Sequence, residues 1–341
     1  MINFRFHLVS LIAVFLALGL GILVGSTVID QKIVNRLDAQ ISSVRKENKA
    51  RKAESDALAK ANAQIRKFID DTEPFVGDGR LEGFSIAIVA ERGVDHGTVK
   101  KAEDALRAAR ADVPGVLWFD DSWQLDSDKR LQSLQTTLGL TGDALSTRNA
   151  ALGILARRLV KPPAVSVPAG HTSTSKPRTS TSVHATTSTT QPATRVDVLN
   201  ELEDAGFLSV TDGDRSAFDA FPARAASVLL ITGDDSHFLG SDLTASFARA
   251  LVQVKLPTAV AAVYDAGGEP KDAPERGAAL APILDDRVLK GSVSTVDDLE
   301  LTEGRIAAVL ALEIVGPPGN DIGHYGYGTG ASSALPQHPP S

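Results

Sequence analysis

The chain contains no cysteine, a single methionine at position 1, and few aromatic residues, which make up 5% of its 341 residues. The absence of cysteine excludes disulfides, a thiol nucleophile and the thiolate ligands that soft metal ions prefer. No glycine-rich phosphate-binding motif follows the first predicted strand, where the loop from Glu91 to Gly97 has the sequence ERGVDHG, and no G-x-S-x-G motif is present. We therefore expect neither an enzyme nor a bound cofactor.

A long uncharged apolar run opens the chain from Leu8 to Ile29. Its length suits a helix that crosses a hydrocarbon core about 30 Å thick, so residues 1–29 are predicted to be a transmembrane anchor. A cleaved signal peptide is the alternative, because Arg5 precedes the run and Gly25 and Ser26 close it, although the run exceeds the usual apolar length of such peptides. Small residues recur at every fourth position, a spacing that favours helix association in lipid: Ala13, Ala17, Gly21 and Gly25.

Residues 30–73 carry a heptad pattern that predicts a parallel coiled coil and hence a homodimer. The predicted dimer seam consists of Val34, Leu37, Ile41, Val44, Asn48, Leu58, Asn62 and Ile65. The two asparagines occupy a positions, where they fix register and favour two strands. Arg51 and Ser55 interrupt the apolar seam, which leaves a single amphipathic helix folded back on the globular part as an alternative. Pro74 is expected to end the helix.

Residues 161–195 are nearly half serine and threonine with interspersed prolines. This composition predicts a disordered linker and is typical of glycosylated stalks in exported proteins. Lysine and arginine follow the apolar run more often than they precede it, which by itself favours a cytoplasmic body. The linker favours the opposite orientation, and we expect the body to be extracytoplasmic.

Residues 74–160 and 196–330 are predicted to form one α/β body, and residues 331–341 a disordered tail. Short continuous apolar runs predict buried strands at 85–90, 116–119, 228–231 and 259–264. Helical patterns lie between them at 99–110, 128–138, 143–159, 196–205 and 241–252. This alternation predicts a parallel sheet of the Rossmann or flavodoxin-like type. Residues 305–314 fit either a last helix or a strand.

The charge of the chain is concentrated in its second half. From residue 196 onward there are nine basic and 22 acidic residues, whereas the whole chain has a net charge of −7. An acidic body repels phosphate backbones, so a nucleic-acid partner is not expected. Cations or a basic partner protein suit this charge better.

Acidic residues follow each predicted strand. These acidic residues are Asp95, Asp120, Asp121, Asp234, Asp235 and Asp265. His96 directly follows Asp95 and is included as a candidate. Because ligands of open α/β sheets bind at the carboxyl ends of the strands, these side chains are weak candidates for a site that holds a hard divalent cation. Aspartate is also favoured in turns and as a helix N-cap, which is the more common role. His96 beside Asp95, and His237 near Asp234, fit acid–base pairs or solvated loop residues equally well.

The closing sequence contains a glycine-rich string formed by Gly323, His324, Tyr325 and Gly326. Together with the opening MINFRFHLVSLIAVFLALGLGILVGS and the segment GFSIAIVAERG from Gly83 to Gly93, it resembles the actinobacterial copper transporter family. The resemblance implies copper efflux or tolerance and an assignment as an outer-membrane channel, while a corynebacterial relative is placed at the division septum with a cytoplasmic-membrane partner.

The residues themselves offer few copper ligands, because cysteine is absent and no two histidines share a ligand spacing on a predicted element. Two functions therefore remain open: copper transport and homeostasis, or an envelope scaffold whose coil and acidic body dock a partner protein, for example at the septum. The glycine-rich string is expected either to dock the end of the chain against the sheet or to present His324 and Tyr325 to a partner.

Overall fold

The computed structural model describes residues 4–161, 197–211, 215–264, 275–316 and 321–336. The chain divides into two compact units, residues 1–68 and residues 69–341. Except for Lys161, the predicted linker lies outside the described residues, as does Asp265.

The first helix, α1, runs from Phe4 to Gly77. Its segment Phe4–Gly25 is long and apolar enough to cross a membrane. The apolar side chains of the predicted dimer seam are between 45% and 60% exposed in the single chain. The structure therefore contains the apolar helix and the surface on which the coiled-coil prediction depends, while the coiled coil itself stays a prediction.

The end of α1 differs from the prediction, because the helix continues through Pro74 to Gly77. The proline lacks the amide hydrogen that would bond to the carbonyl four residues earlier, and only three residues of the helix follow it. Side-chain contacts hold the last turns in place: Glu73 accepts two hydrogen bonds from Arg305, at 2.8 and 3.0 Å, and Asp70 accepts one from Thr302. The prediction that the helix ends at Pro74 is therefore wrong by three residues.

The body contains seven strands and eight further α-helices within the described residues. The strands are β1 Phe84–Glu91, β2 Val116–Phe119, β3 Leu208–Val210, β4 Ala225–Gly233, β5 Thr258–Val263, β6 Ser294–Val296 and β7 His324–Tyr325. The helices are α2 His96–Ala108, α3 Asp128–Leu138, α4 Ala144–Val160, α5 Val198–Asp204, α6 Leu243–Gln253, α7 Ala281–Leu284, α8 Arg287–Lys290 and α9 Thr302–Val315. Residues 305–314 thus lie in a helix.

The strands form one sheet in the order β3-β2-β1-β4-β5-β6-β7, which contains strands from both predicted parts of the body. All neighbours are parallel except β2 and β3. The sequence predicted a parallel sheet, and the antiparallel edge strand is a correction to it. A tight turn through Gly206, whose φ is +74°, connects α5 to this antiparallel strand.

Helices cover both faces of the sheet, and the alternation of side chains along β1 shows how. Ala87 and Val89 point to a core formed with α3, α4, α5 and α6, whereas Ile86 and Ile88 point to a second core formed with α2 and α9. All four side chains are fully buried. A strand buried on both faces requires a continuous apolar run, which is why the four central strands were predictable from the sequence.

The three remaining strands were not predicted, because each contains only two or three residues. The last of them, β7, consists of His324 and Tyr325 of the glycine-rich string. Residues 331–336, predicted as part of a disordered tail, hydrogen bond back to this strand: Ser332 donates to the His324 carbonyl at 2.7 Å, and Gly326 donates to the Ser333 carbonyl at 3.0 Å. Residues 337–341 lie outside the described residues.

Candidate functional site

A crevice of about 520 Å³ opens at the carboxyl ends of β1, β4 and β5. Strand β1 lies between β2 and β4, so the chain leaves its carboxyl end in one direction and returns on the other side. This is the topological switch point, where open α/β sheets bind their ligands. The lining residues are Gly93, Val94, Asp95, Thr98, Gly233, Asp235, Val263, Tyr264 and Glu300.

Two loops approach each other closely at the crevice, and Gly93 makes this possible. Its φ is +96°, and a Cβ atom there would overlap the backbone oxygen of Asp235. The amide of His237 also donates a hydrogen bond to the Arg92 carbonyl at 2.8 Å. The glycine is therefore required for the contact between the β1–α2 loop and the loop after β4.

Asp95 lines the crevice and caps a helix at the same time. Its carboxylate accepts a hydrogen bond from the Thr98 amide at 2.7 Å, which makes Asp95 the N-cap of α2. Hydrogen bonds from Thr98 lower the pKa of Asp95 below its ordinary value. The capping role considered in the sequence analysis is thus present, and the side chain still borders the crevice.

The other predicted site residues separate into two groups. Asp235 lines the crevice with Asp95, whereas Asp120, Asp121 and His96 are not among its lining residues. Asp234, next to Asp235, donates its backbone amide to the Val263 carbonyl at 3.2 Å, which joins the ends of β4 and β5.

Beside the crevice, the residues after β2 form polar and aromatic contacts of their own. Asp120 accepts a hydrogen bond from Arg92 Nε at 2.6 Å, and Asp121 Oδ1 lies 2.7 Å from His237 Nδ1. His96 stacks on Trp118 with the ring centroids 4.0 Å apart. The sequence left these histidines open as acid–base partners of Asp95 and Asp234 or as solvated loop residues. In the structure the ring of His96 contacts Trp118, and the ring of His237 contacts Asp121.

Glu91, at the end of β1, is a buried carboxylate that the sequence analysis did not select as a site residue. It is fully buried and accepts hydrogen bonds from three hydroxyls: Thr232 at 2.7 Å, Ser236 at 2.6 Å, and Thr244. Burial raises the pKa of Glu91, although the three hydrogen bonds oppose the shift. Its place as the last residue of an apolar strand was the sequence signal for burial.

A second acidic group that the prediction missed follows β6. Glu300 lines the crevice, accepts the Tyr264 amide at 3.0 Å and pairs with Arg276 at 2.6 Å. Asp297 accepts the backbone amides of Tyr327 and Gly328, each at 2.9 Å. The strand before these acids has only three residues, so the pattern of an apolar run followed by acid was too short to detect.

Asp298 in this group is almost completely buried, with 1% of its surface exposed. Within the described residues, neither of its carboxylate oxygens has a hydrogen-bond partner. Burial is the main cause that raises the pKa of Asp298 to about 7, and the charges of Asp297 and Glu300 add to it. Asp298 therefore favours its protonated form much more than an ordinary aspartate does.

The glycine-rich string forms the edge of the sheet through β7. His324 Nδ1 lies 3.0 Å from Thr295 Oγ1 and its Nε2 lies 3.1 Å from the Lys290 carbonyl. Burial lowers the pKa of His324 and raises the pKa of Tyr325. At Gly326 the φ is +123°, and a Cβ atom there would overlap a carboxylate oxygen of Asp297. The string is thus packed against the sheet.

The crevice offers carboxylates, one threonine and one tyrosine. Oxygen ligands suit hard cations better than copper. Among the residues that the structure describes, no three histidine, aspartate or glutamate side chains come together as a metal site. The hard-cation site at the strand ends therefore stays a prediction.

Comparisons with known proteins cover almost the whole chain. A family model described as "Copper transport outer membrane protein, MctB" matches residues 1–336. Relatives named "Copper transporter MctB" from Mycobacterium bovis and Mycobacterium tuberculosis are 27% identical over 345 aligned residues, which cover 98% of this chain and 98% of each relative. The resemblance noted in the sequence is confirmed, and the chain belongs to the MctB family of copper transport outer membrane proteins.

Proposed function

We propose that this protein is a single-pass, membrane-anchored protein of the cell envelope that takes part in copper transport and copper homeostasis. The match of the MctB family model to residues 1–336 carries the proposal. The names of the mycobacterial relatives support the same function. The proposal includes no catalytic activity.

The membrane anchor is supported by Phe4–Gly25, which is 22 residues long and sufficient to span a bilayer. Its side chains are exposed in the single chain, as expected for a helix whose natural surroundings are lipid. We place the body outside the cytoplasm, because the serine, threonine and proline composition of residues 161–195 is typical of exported proteins.

We further propose that the protein works as a parallel homodimer. The apolar seam residues from Val34 to Ile65 expose about half of their surface or more. Pairing two such helices would bury these side chains in a coiled coil, and Asn48 and Asn62 would favour a two-stranded register. On the membrane segment, a Cβ atom added at Gly21 or Gly25 would meet nothing within 4 Å, so a second helix can approach there closely.

The body is best interpreted as flavodoxin-like with additional edge strands. Without β3 and β7, the strand order becomes β2-β1-β4-β5-β6, and all of these neighbours are parallel. This order corresponds to 2-1-3-4-5, the order of flavodoxin-like sheets. In this interpretation the crevice at the switch point is the surface on which the body would engage a ligand or partner, and the acidic residues around it favour a cationic one.

Deletion of the gene tests the proposed function. We expect copper to inhibit the growth of the deletion strain at lower concentrations than those that inhibit the parent. The deletion strain should also contain more cell-associated copper, measured by mass spectrometry. The full chain should restore both properties, whereas a variant that lacks residues 4–25 should not. Unchanged copper tolerance and copper content, together with defective septation, would contradict the copper role and favour the envelope scaffold instead.

A further inference from the structure

A mostly apolar groove of about 250 Å³ lies beside the last turn of α1, between α2 and α9. Small residues on α1 and α2 create the space, and larger apolar side chains of α9 form the opposite wall. The apolar lining includes Val76, Gly77, Ala105, Ala108, Ile306 and Leu310. Of these, Ala108 is exposed, and Ile306 and Leu310 are only half-buried. The groove is thus open to solvent in the single chain.

The groove is formed before anything binds in it, because polar contacts fix the last turns of α1 against α9. Arg305, which is 7% exposed, makes its two hydrogen bonds to Glu73 directly at the groove wall. A charge-assisted bidentate pair is among the stronger side-chain contacts. A preformed apolar groove binds an apolar group without the cost of ordering its walls.

On the same turn of α1, Phe75 is 82% exposed. The surface therefore presents a large aromatic side chain next to an apolar depression. In a dimer with two-fold symmetry the same patch faces itself, so a projecting group on one copy can enter the depression on the other, and the reverse contact forms at the same time.

The heptad numbering places Phe75 correctly for this exchange. Counted along the sequence from Val34, Glu73 occupies an e position, Phe75 a g position and Val76 an a position. In a parallel pair, residues of equal number lie at the same height, and the g side of one helix faces the e side of the other. Phe75 of a second copy would therefore lie level with the groove and on the side where Glu73 and Val76 line it.

We infer that this groove receives Phe75 of a second copy of the chain, while its own Phe75 enters the groove of that copy. The groove volume of about 250 Å³ is sufficient for the phenyl ring of Phe75, since a cavity of about 150 Å³ accommodates benzene. The inference rests on the parallel homodimer proposed above and adds a contact surface on the body to it.

Cysteine cross-linking of the full chain in membranes tests the contact, because the chain has no cysteine of its own. One copy carries Phe75→Cys and an affinity tag, and the other carries Ala108→Cys without a tag. We expect oxidation to join the two copies in a tagged heterodimer. The matched control replaces Ala108→Cys by Val288→Cys, an exposed position on α8 outside the groove, and should give at least about tenfold less product.

A separate variant, Ile41→Cys, reports on the dimer itself. Cross-linking at Ile41 without any Phe75–Ala108 product above the control would overturn the groove contact and leave the dimer in place, and the groove would then belong to another occupant, such as a partner protein. Failure of both cross-links would overturn the dimer as well. As a second measurement, Phe75→Ala should weaken self-association in detergent by about tenfold or more, whereas Leu145→Ala, at an exposed position on α4, should not.

Discussion

The helix before residue 69 and the α/β body differ in how much of their apolar side-chain surface is exposed to solvent. The large apolar side chains that the structure describes between Phe4 and Ile65 are 45–77% exposed, whereas those of β1, such as Ile86 and Ile88, are fully buried. The body buries most of its large apolar side chains within one chain, although Phe75 and the groove beside the end of α1 are open. The helix leaves its apolar side chains exposed. In our proposal, lipid covers those of the first segment and a second helix covers those of the heptads.

The largest effect that separates the two regions is expected from the dimer seam. Replacing Val34, Leu37, Ile41 and Val44 with serine removes four consecutive apolar seam contacts on each helix. At about 1.5–3 kcal/mol for each fully buried aliphatic side chain, we expect the dimer to be lost at micromolar concentrations in analytical ultracentrifugation. The melting temperature of the body should not change, because these side chains are exposed in the single chain. An unchanged sedimentation profile would refute the coiled coil.

A smaller effect, confined to the body, is expected at Gly326. Gly326→Ala places a methyl group against the carboxylate of Asp297 at a backbone conformation that favours glycine. We expect the free energy of unfolding to fall by about 1–3 kcal/mol in chemical denaturation, with self-association unchanged. The matched control is Gly240→Ala, because Gly240 also has a positive φ, +77°, but a Cβ atom there would meet nothing within 4 Å. Equal losses at the two positions would show that the contact with Asp297 contributes nothing.

The smallest effect concerns the pH dependence of the body. The pKa of Glu91 is raised above 4.5 in the folded state, so its contribution to stability is complete at low pH and is lost as pH rises through the folded pKa. The contribution of Asp298, whose pKa is raised to about 7, is likewise lost as pH rises. Glu91→Gln resembles the protonated acid in shape and cannot ionise.

We expect the free energy of unfolding of the Glu91→Gln variant to decline less with rising pH than that of the wild type, with a difference of about 1.4 kcal/mol per unit of raised pKa. Denaturant titrations between pH 4 and pH 8 measure it. Because Asp298 is present in both proteins, the difference isolates Glu91. Parallel pH profiles would show that Glu91 has an ordinary pKa in the folded protein.

Several parts of the fold could be predicted from the sequence because they depend on patterns along the chain. The apolar run of α1 and the four central strands are continuous apolar segments, and burial on both faces requires such segments. The placement of acids after strands was also predictable, and Asp95 and Asp235 do line one crevice. Two residues of one strand cannot show a period, which is why β7 was found only as a glycine-rich string.

The sequence by itself determined the apolar helix, the heptad pattern, the α/β class and the resemblance that full-length comparison confirmed as membership of the MctB family. Only the tertiary structure decided the antiparallel β3, the end of α1 beyond Pro74, and which acids come together. Asp120 and Asp235 follow strands on opposite sides of β1, and only Asp235 lines the crevice, because the crevice opens on the side of β1 where the strand order places β4 and β5. That order results from contacts between residues far apart in the chain, so no local pattern encodes it.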